Sequence, residues 1–245
     1  MRAPQPAALL DAWERGLRRP LAARALALLA AAHPTSAEAE LAALPLGARD
    51  ALLLDLREAL FGPELTALAA CPGCGEQLET QFPVAAIRVA EGAGAQCEID
   101  LRAAGHALRC RLPASADLLA IPAGADESEA RAILLARCVV EARGKDGAEV
   151  LPGALSAAVV ARVSAALAEA DPQAAVDLAL ECPACGAGFA AAFDTAAWLV
   201  AEVHAWAQRM LDEVAVLARA FGWREADVLA LGPARRGAYL ELAGR

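Results

Sequence analysis

Two short units limit this chain more than anything else in it: Cys71-Pro72-Gly73-Cys74-Gly75 and Cys182-Pro183-Ala184-Cys185-Gly186. Two thiolates on a tight turn hold half of a tetrahedron at metal–sulfur distances of about 2.3 Å. A glycine after the second cysteine lets the chain turn back with its amides facing the sulfurs. Neither pair completes a four-coordinate site, and no histidine lies at ligand spacing. Joined, they give a closed site of four thiolates, Cys71, Cys74, Cys182 and Cys185, and the spacing predicts one structural zinc ion.

The separation is unusual. Between Cys74 and Cys182 lie 107 residues, where a compact zinc ribbon has roughly 15 to 20. A ribbon split by an inserted unit reconciles spacing and geometry, because the entropy of closing a loop grows only with the logarithm of its length. A catalytic zinc keeps a position open for water; four thiolates leave none, so no catalytic residue is assigned. The rival chemistry is redox, since Cys-Pro-x-Cys also occurs in glutaredoxin-like oxidoreductases. There the motif sits at a strand-to-helix junction that lowers the first thiol's pKa, whereas here both units run into alternating apolar segments.

The remaining cysteines, Cys97, Cys110 and Cys138, read as small core hydrophobes, on the buried face of a hairpin and on a helix stripe. An odd cysteine count with paired Cys-x-x-Cys spacing points to reduced thiols rather than a disulfide framework. His33, His106, His204, Trp198 and Trp206 take structural readings, and Arg235-Arg236 reads as a solvated face.

Hydrophobic residues make up 58% of the chain, which alone would suggest a membrane protein. Nearly half of them are alanine, 68 in all. The longest charge-free run, residues 25–37, is 13 residues and contains His33 and Pro34, short of the roughly 20 apolar residues that span a bilayer. The opening Met1-Arg2-Ala3-Pro4-Gln5-Pro6 does not read as a signal peptide, so the expectation is a cytoplasmic protein without a membrane partner. The formal net charge of −9 disfavours nucleic acid, as do Glu76, Glu79 and Glu181 beside the knuckles. No phosphate loop or Ser-His-Asp pattern suggests a small-molecule substrate.

Periodicity divides the chain as follows. Residues 1–68 form an N-terminal helical region, with apolar stripes through Leu9, Leu10, Trp13 and Leu17 and through Leu52, Leu53, Leu56, Leu60, Leu65 and Leu68. Residues 69–82 and 176–194 are the split ribbon. The insert, 83–175, opens on a hairpin whose alternation pairs Ile99 with Cys110, Asp100 with Arg109 and Glu98 with Arg111. It continues as a helix from Asp126 to Ala142 and an Ala/Val helix from Pro152 to Ala170. Residues 195–245 hold a long amphipathic helix, about Thr195 to Ala220, and two short helices. The fold class is α+β and mostly helical: a zinc-ribbon-like pair of knuckle hairpins split by an inserted hairpin-plus-helices unit.

Several stretches carry a resemblance: Leu56-Arg57-Glu58-Ala59-Leu60-Phe61-Gly62-Pro63-Glu64-Leu65 leading to the first knuckle, Arg111-Leu112-Pro113-Ala114-Ser115-Ala116-Asp117-Leu118-Leu119, and Phe221-Gly222-Trp223-Arg224-Glu225-Ala226-Asp227-Val228-Leu229 with Pro233 to Leu242. These resemble the baseplate hub assembly chaperones of T-even-type contractile phages and their relatives in phage-tail-like contractile injection systems. The resemblance implies a non-enzymatic assembly factor or structural accessory protein whose partners are baseplate hub or wedge proteins, incorporated or not into the particle. Zinc rests on the spacing and not on the family, whose members vary in keeping the cysteines. The alternative class is a zinc-ribbon nucleic-acid binder or regulator.

Overall fold

The structure, a computed structural model, describes residues 3–89 and 97–244. It is mostly helical, with three small antiparallel sheets. α1 (Pro6–Gly16) and α2 (Leu21–Ala32) are separated at Pro20, whose fixed φ and missing N–H end one helix and start the next. The short α3 (Glu38–Ala43) is capped by Glu40, whose carboxylate accepts from the Ala37 N–H at 3.0 Å. α4 (Leu46–Phe61) and the 27-residue α8 (Thr195–Phe221) complete the main helical core. Leu9, Leu26, Leu29, Leu53, Leu56, Leu199 and Val203 fill that core, so the leucine stripes read from the sequence face one another.

A second core lies among residues 98–170. β3 (Glu98–Ala103), β4 (His106–Arg111) and β5 (Val139–Arg143) form a three-stranded sheet backed by α7 (Ala157–Ala170). The β3–β4 register is the expected one, Ile99 opposite Cys110, Asp100 opposite Arg109 and Glu98 opposite Arg111. Leu108, Cys110, Val139, Val159 and Val163 are buried between sheet and helix. Two expectations change here. Cys97 is exposed rather than buried, because the strand begins at Glu98 and Cys97 contributes only its carbonyl, to the Leu112 N–H at 2.9 Å. The helix expected to reach Ala142 stops at Cys138 (α6, Glu127–Cys138), where the β-branched pair Val139-Val140 switches to strand and pairs with β4.

Between the two cores runs a set of buried charges. The short α5 (Ser115–Leu119) is organised by Asp117, whose side chain is 1% exposed. It accepts two bonds from the Arg111 guanidinium, both 2.7 Å, one from Arg137 at 2.7 Å and one from the Ala114 N–H at 2.9 Å. Burial alone would raise this carboxyl, but the donors, Arg111 foremost, outweigh it and hold Asp117 at about 2. At the start of α4, Asp50 pairs with Arg49 at 2.7 Å, and burial pushes its carboxyl up to about 6 against the pull of Arg49.

Gly47 donates its N–H to Asp171 Oδ2 at 2.8 Å, across 124 residues of chain. A Cβ on Gly47 would collide with Asp171 Oδ1 and crowd the Ala174 amide at 3.1 Å. Gly47→Ala should therefore destabilise the protein by about 1–3 kcal/mol, although alanine is the better helix former by about 1 kcal/mol. A lower urea midpoint with an unchanged slope is the expected result; an equal or higher midpoint contradicts the close approach.

Candidate metal centre

Two helices of the main core, α4 and α8, carry the two hairpins. α4 ends at Phe61, turns through Gly62-Pro63 and enters β1 (Glu64–Ala70), and β2 (Gln77–Pro83) returns antiparallel to it. β6 (Val176–Glu181) and β7 (Gly188–Phe193) form the second hairpin, and β7 leads through Asp194 into α8, where the Asp194 carboxylate caps the helix by accepting from the Ala197 N–H at 2.9 Å. The helical stripe expected to run to Leu68 gives way to strand at 64–70: Leu65 and Ala67 point inward, while Leu68 is 74% exposed. Spacing of three between Leu65 and Leu68 imitates a helix face, but the Gly-Pro break resets the backbone.

Arg57 fixes how the hairpins leave the core. Its guanidinium donates to the Gly62 carbonyl at 2.5 Å and to both oxygens of Glu202 on α8 at 3.0 and 3.2 Å, and it lies 5.0 Å from the Trp198 ring centre. One buried side chain thus holds the turn into β1 and the helix that follows β7. Under it, Leu54, Leu65, Val84 and Phe193, with Phe82 and Trp198, form the floor shared by both hairpins.

The hairpin tips are the two knuckles, built alike. In each, the first cysteine's N–H donates to the carbonyl five residues on: Cys71 to Glu76 at 2.8 Å, Cys182 to Ala187 at 3.0 Å. The glycine N–H returns to the first cysteine's carbonyl: Gly75 to Cys71 at 2.9 Å, Gly186 to Cys182 at 2.8 Å. Gly75 and Gly186 have φ of +79° and +70°, the left-handed region that a side chain disfavours. Cys71 and Cys182 are buried against Leu78 and Phe189, whereas Cys74 and Cys185 face solvent.

All four sulfurs lie within 4.8 Å of one another. Cys71 Sγ is 3.7 Å from Cys185 Sγ, and Cys74 Sγ is 3.6 Å from Cys182 Sγ. A tetrahedron with metal–sulfur bonds of about 2.3 Å has edges of about 3.8 Å, so these separations suit four ligands of one ion. The Gly73 N–H points at Cys71 Sγ at 3.4 Å. Backbone donors, that of Cys74 first, draw the Cys71 thiol down to about 7; at Cys74 the Glu76 amide pulls the same way, but the thiols of Cys182 and Cys185 push it up to about 12. Four such sulfurs cannot all ionise side by side without a cation among them. The donor set is therefore compatible with a metal site, and its softness suits zinc or iron. Glu76, Glu79 and Glu181 are exposed around it.

The cysteine spacing singles out four ligand candidates but not the charges that position them. Arg57, Asp117 and Gly47 pass as ordinary helix-surface or turn residues, and their partners lie up to 145 residues away. Arg236 reads as solvated in the sequence; instead it donates to Glu213 at 2.6 Å and holds the helix Pro233–Leu242 against α8. His204 accepts from the Trp13 indole N–H at 3.0 Å, in keeping with its structural reading.

The described residues form a mostly helical scaffold in which two hairpins far apart in sequence meet at a four-thiol centre. A family model described as T4 bacteriophage base plate protein matches residues 27–190, about two thirds of the chain, and both knuckles fall inside the match. The chain belongs to that family of base plate proteins. The stretches of resemblance around Leu56–Leu65 and Arg111–Leu119 lie within the match, and those after Phe221 lie outside it. No curated protein and no solved structure matches the chain.

Proposed function

We propose that this protein is a zinc-stabilised, non-enzymatic assembly factor or structural accessory of a contractile tail or tail-like injection-system baseplate, working through contacts with hub or wedge proteins. The observation that carries the reading is the four-thiol cluster inside the segment matched by the base plate family. A closed site of four cysteines supports a structural ion, because all four positions are used by protein sulfur, and zinc is the usual occupant of such a tetrahedron. The units read from the sequence, a helical region at 1–68, a ribbon at 69–82 and 176–194, an insert at 83–175 and a helical end at 195–245, form part of this proposal. In it the protein acts in the cytoplasm, where tails are assembled. Among the described residues no helix is long and apolar enough to cross a membrane.

The acidic knuckle surroundings support protein rather than nucleic-acid contacts. A nucleic-acid reader needs clustered cations and exposed aromatics at its recognition surface. Co-expression with hub and wedge proteins from the same tail gene cluster tests the proposal. The expected result is a stoichiometric complex that survives size exclusion with zinc retained; tight, salt-sensitive DNA or RNA retention in a filter-binding assay, with no such complex, overturns it.

A further inference from the structure

The four sulfurs are not equivalent, and their arrangement sets what an oxidant would make of them. Each exposed sulfur has a buried one from the other knuckle beside it: Cys185 lies 3.7 Å from Cys71, and Cys74 lies 3.6 Å from Cys182. An oxidant arriving from solvent meets Cys74 and Cys185 first. A buried thiolate of the opposite hairpin then lies within 3.7 Å to resolve the resulting adduct, with all four sulfurs inside 4.8 Å.

We infer that the centre is a convertible staple, in which oxidation replaces the metal by two disulfides that cross between the hairpins, Cys71–Cys185 and Cys74–Cys182. The inference rests on the zinc reading for its starting state. With a small-molecule disulfide as oxidant, the exposed thiolate attacks one oxidant sulfur, forms a mixed disulfide and releases one small thiolate. The buried thiolate then attacks the protein sulfur of that mixed disulfide and expels the second small thiolate. Two electrons pass to the oxidant for each pair, so two oxidant disulfides are reduced per chain and the zinc ion leaves to water. Because both new bonds run between hairpins, the 107 residues between the knuckles remain closed after the metal is gone.

Lys145, in an exposed turn between the knuckles, is the chain's single lysine, which makes the pairing readable on a gel. Full-length protein carrying Cys97→Ser, to remove the exposed thiol outside the centre, is assayed for zinc and then treated with 4,4′-dithiodipyridine. Zinc release is followed with a chromogenic chelator. After thiol blocking and denaturation, lysyl endopeptidase cuts between residues 145 and 146. The expected result is loss of zinc with the two halves still joined on a non-reducing gel and separating on reduction, and peptide mapping that links Cys71 to Cys185 and Cys74 to Cys182. Halves that separate without reduction, or a map showing Cys71–Cys74 and Cys182–Cys185, overturn the inference while leaving zinc binding intact. Protein that lacks zinc from the start sinks the zinc reading instead, and the gel still reports the pairing.

Discussion

Cys182→Ser should abolish stoichiometric metal binding and lower the melting temperature by about 10–20 °C. The cysteine is 1% exposed and sits with Cys71, Leu78 and Phe189 in the small core under the knuckles. Its loss leaves three thiolates and an open position where the proposed zinc needs four. Structural zinc contributes on the order of 10 kcal/mol in small zinc modules. Here the helical core exists besides the staple, so a loss of about 5 kcal/mol is the reasonable scale, at ~2–4 °C per kcal/mol for a chain of this size. Cys74→Ser, at the exposed rim, should release metal with a smaller structural loss, since its side chain fills no core. The two variants together separate metal loss from repacking. Metal content by emission spectrometry and calorimetric melting check both, and a Cys182→Ser protein that retains one equivalent of tightly held metal refutes the four-ligand site. Chelation of the wild type at neutral pH should reproduce the Cys182→Ser shift.

Asp117→Ala should be the most damaging change outside the centre. The carboxylate gathers Arg111 from β4, Arg137 from α6 and the Ala114 amide just before α5 onto one buried side chain. Breaking a buried ion pair from one side costs about 3–5 kcal/mol. Arg111 and Arg137 both reach solvent, which places this case near about 3 kcal/mol, or a midpoint lower by ~6–12 °C. The pH dependence has a definite sign. Asp117 titrates at about 2 in the folded protein against an ordinary value of 3.8, so its contribution is fully present above about pH 4 and is lost as pH falls through 4 towards 2. The gap between wild type and Asp117→Asn in urea midpoint should be constant from about pH 7 to 5 and close below about pH 4. Equal midpoints at neutral pH would remove Asp117 from this role.

The parts of the fold legible in the sequence are those whose signal is local. The β3–β4 register follows from alternation, since shifting the pairing by one residue would turn Leu108 and Cys110 out to water. α8 follows from its long apolar stripe, and the knuckles from Cys-Pro-x-Cys-Gly. What stayed hidden depends on partners far along the chain. β1 reads as helix because Leu65 and Leu68 are three apart, and only the second hairpin's floor decides that Leu65 is inside. β5 follows α6 without a breaker, and its β-branched Val139-Val140 settles as strand by pairing with the open edge of β4. Arg57 resembles any helix-surface arginine until Glu202 and the Gly62 carbonyl are placed beside it. The four ligand candidates are legible as a set, whereas the crosswise closeness of Cys71 to Cys185 and of Cys74 to Cys182 belongs to three-dimensional geometry alone.

The long interval between the knuckles also sets a timetable for synthesis. After Cys74 emerges, translation at ~5–20 residues per second takes roughly 5 to 20 s to reach Cys182. During that wait the first knuckle offers only two sulfurs, and β1 and β2 have no second hairpin to share a floor with. Two thiolates fill only half of a tetrahedral site, so under the zinc proposal tight capture waits for the second knuckle. On the zinc proposal, a chain cut short before Cys185 lacks the fourth ligand, so a closed four-thiolate site forms only once both knuckles have been made.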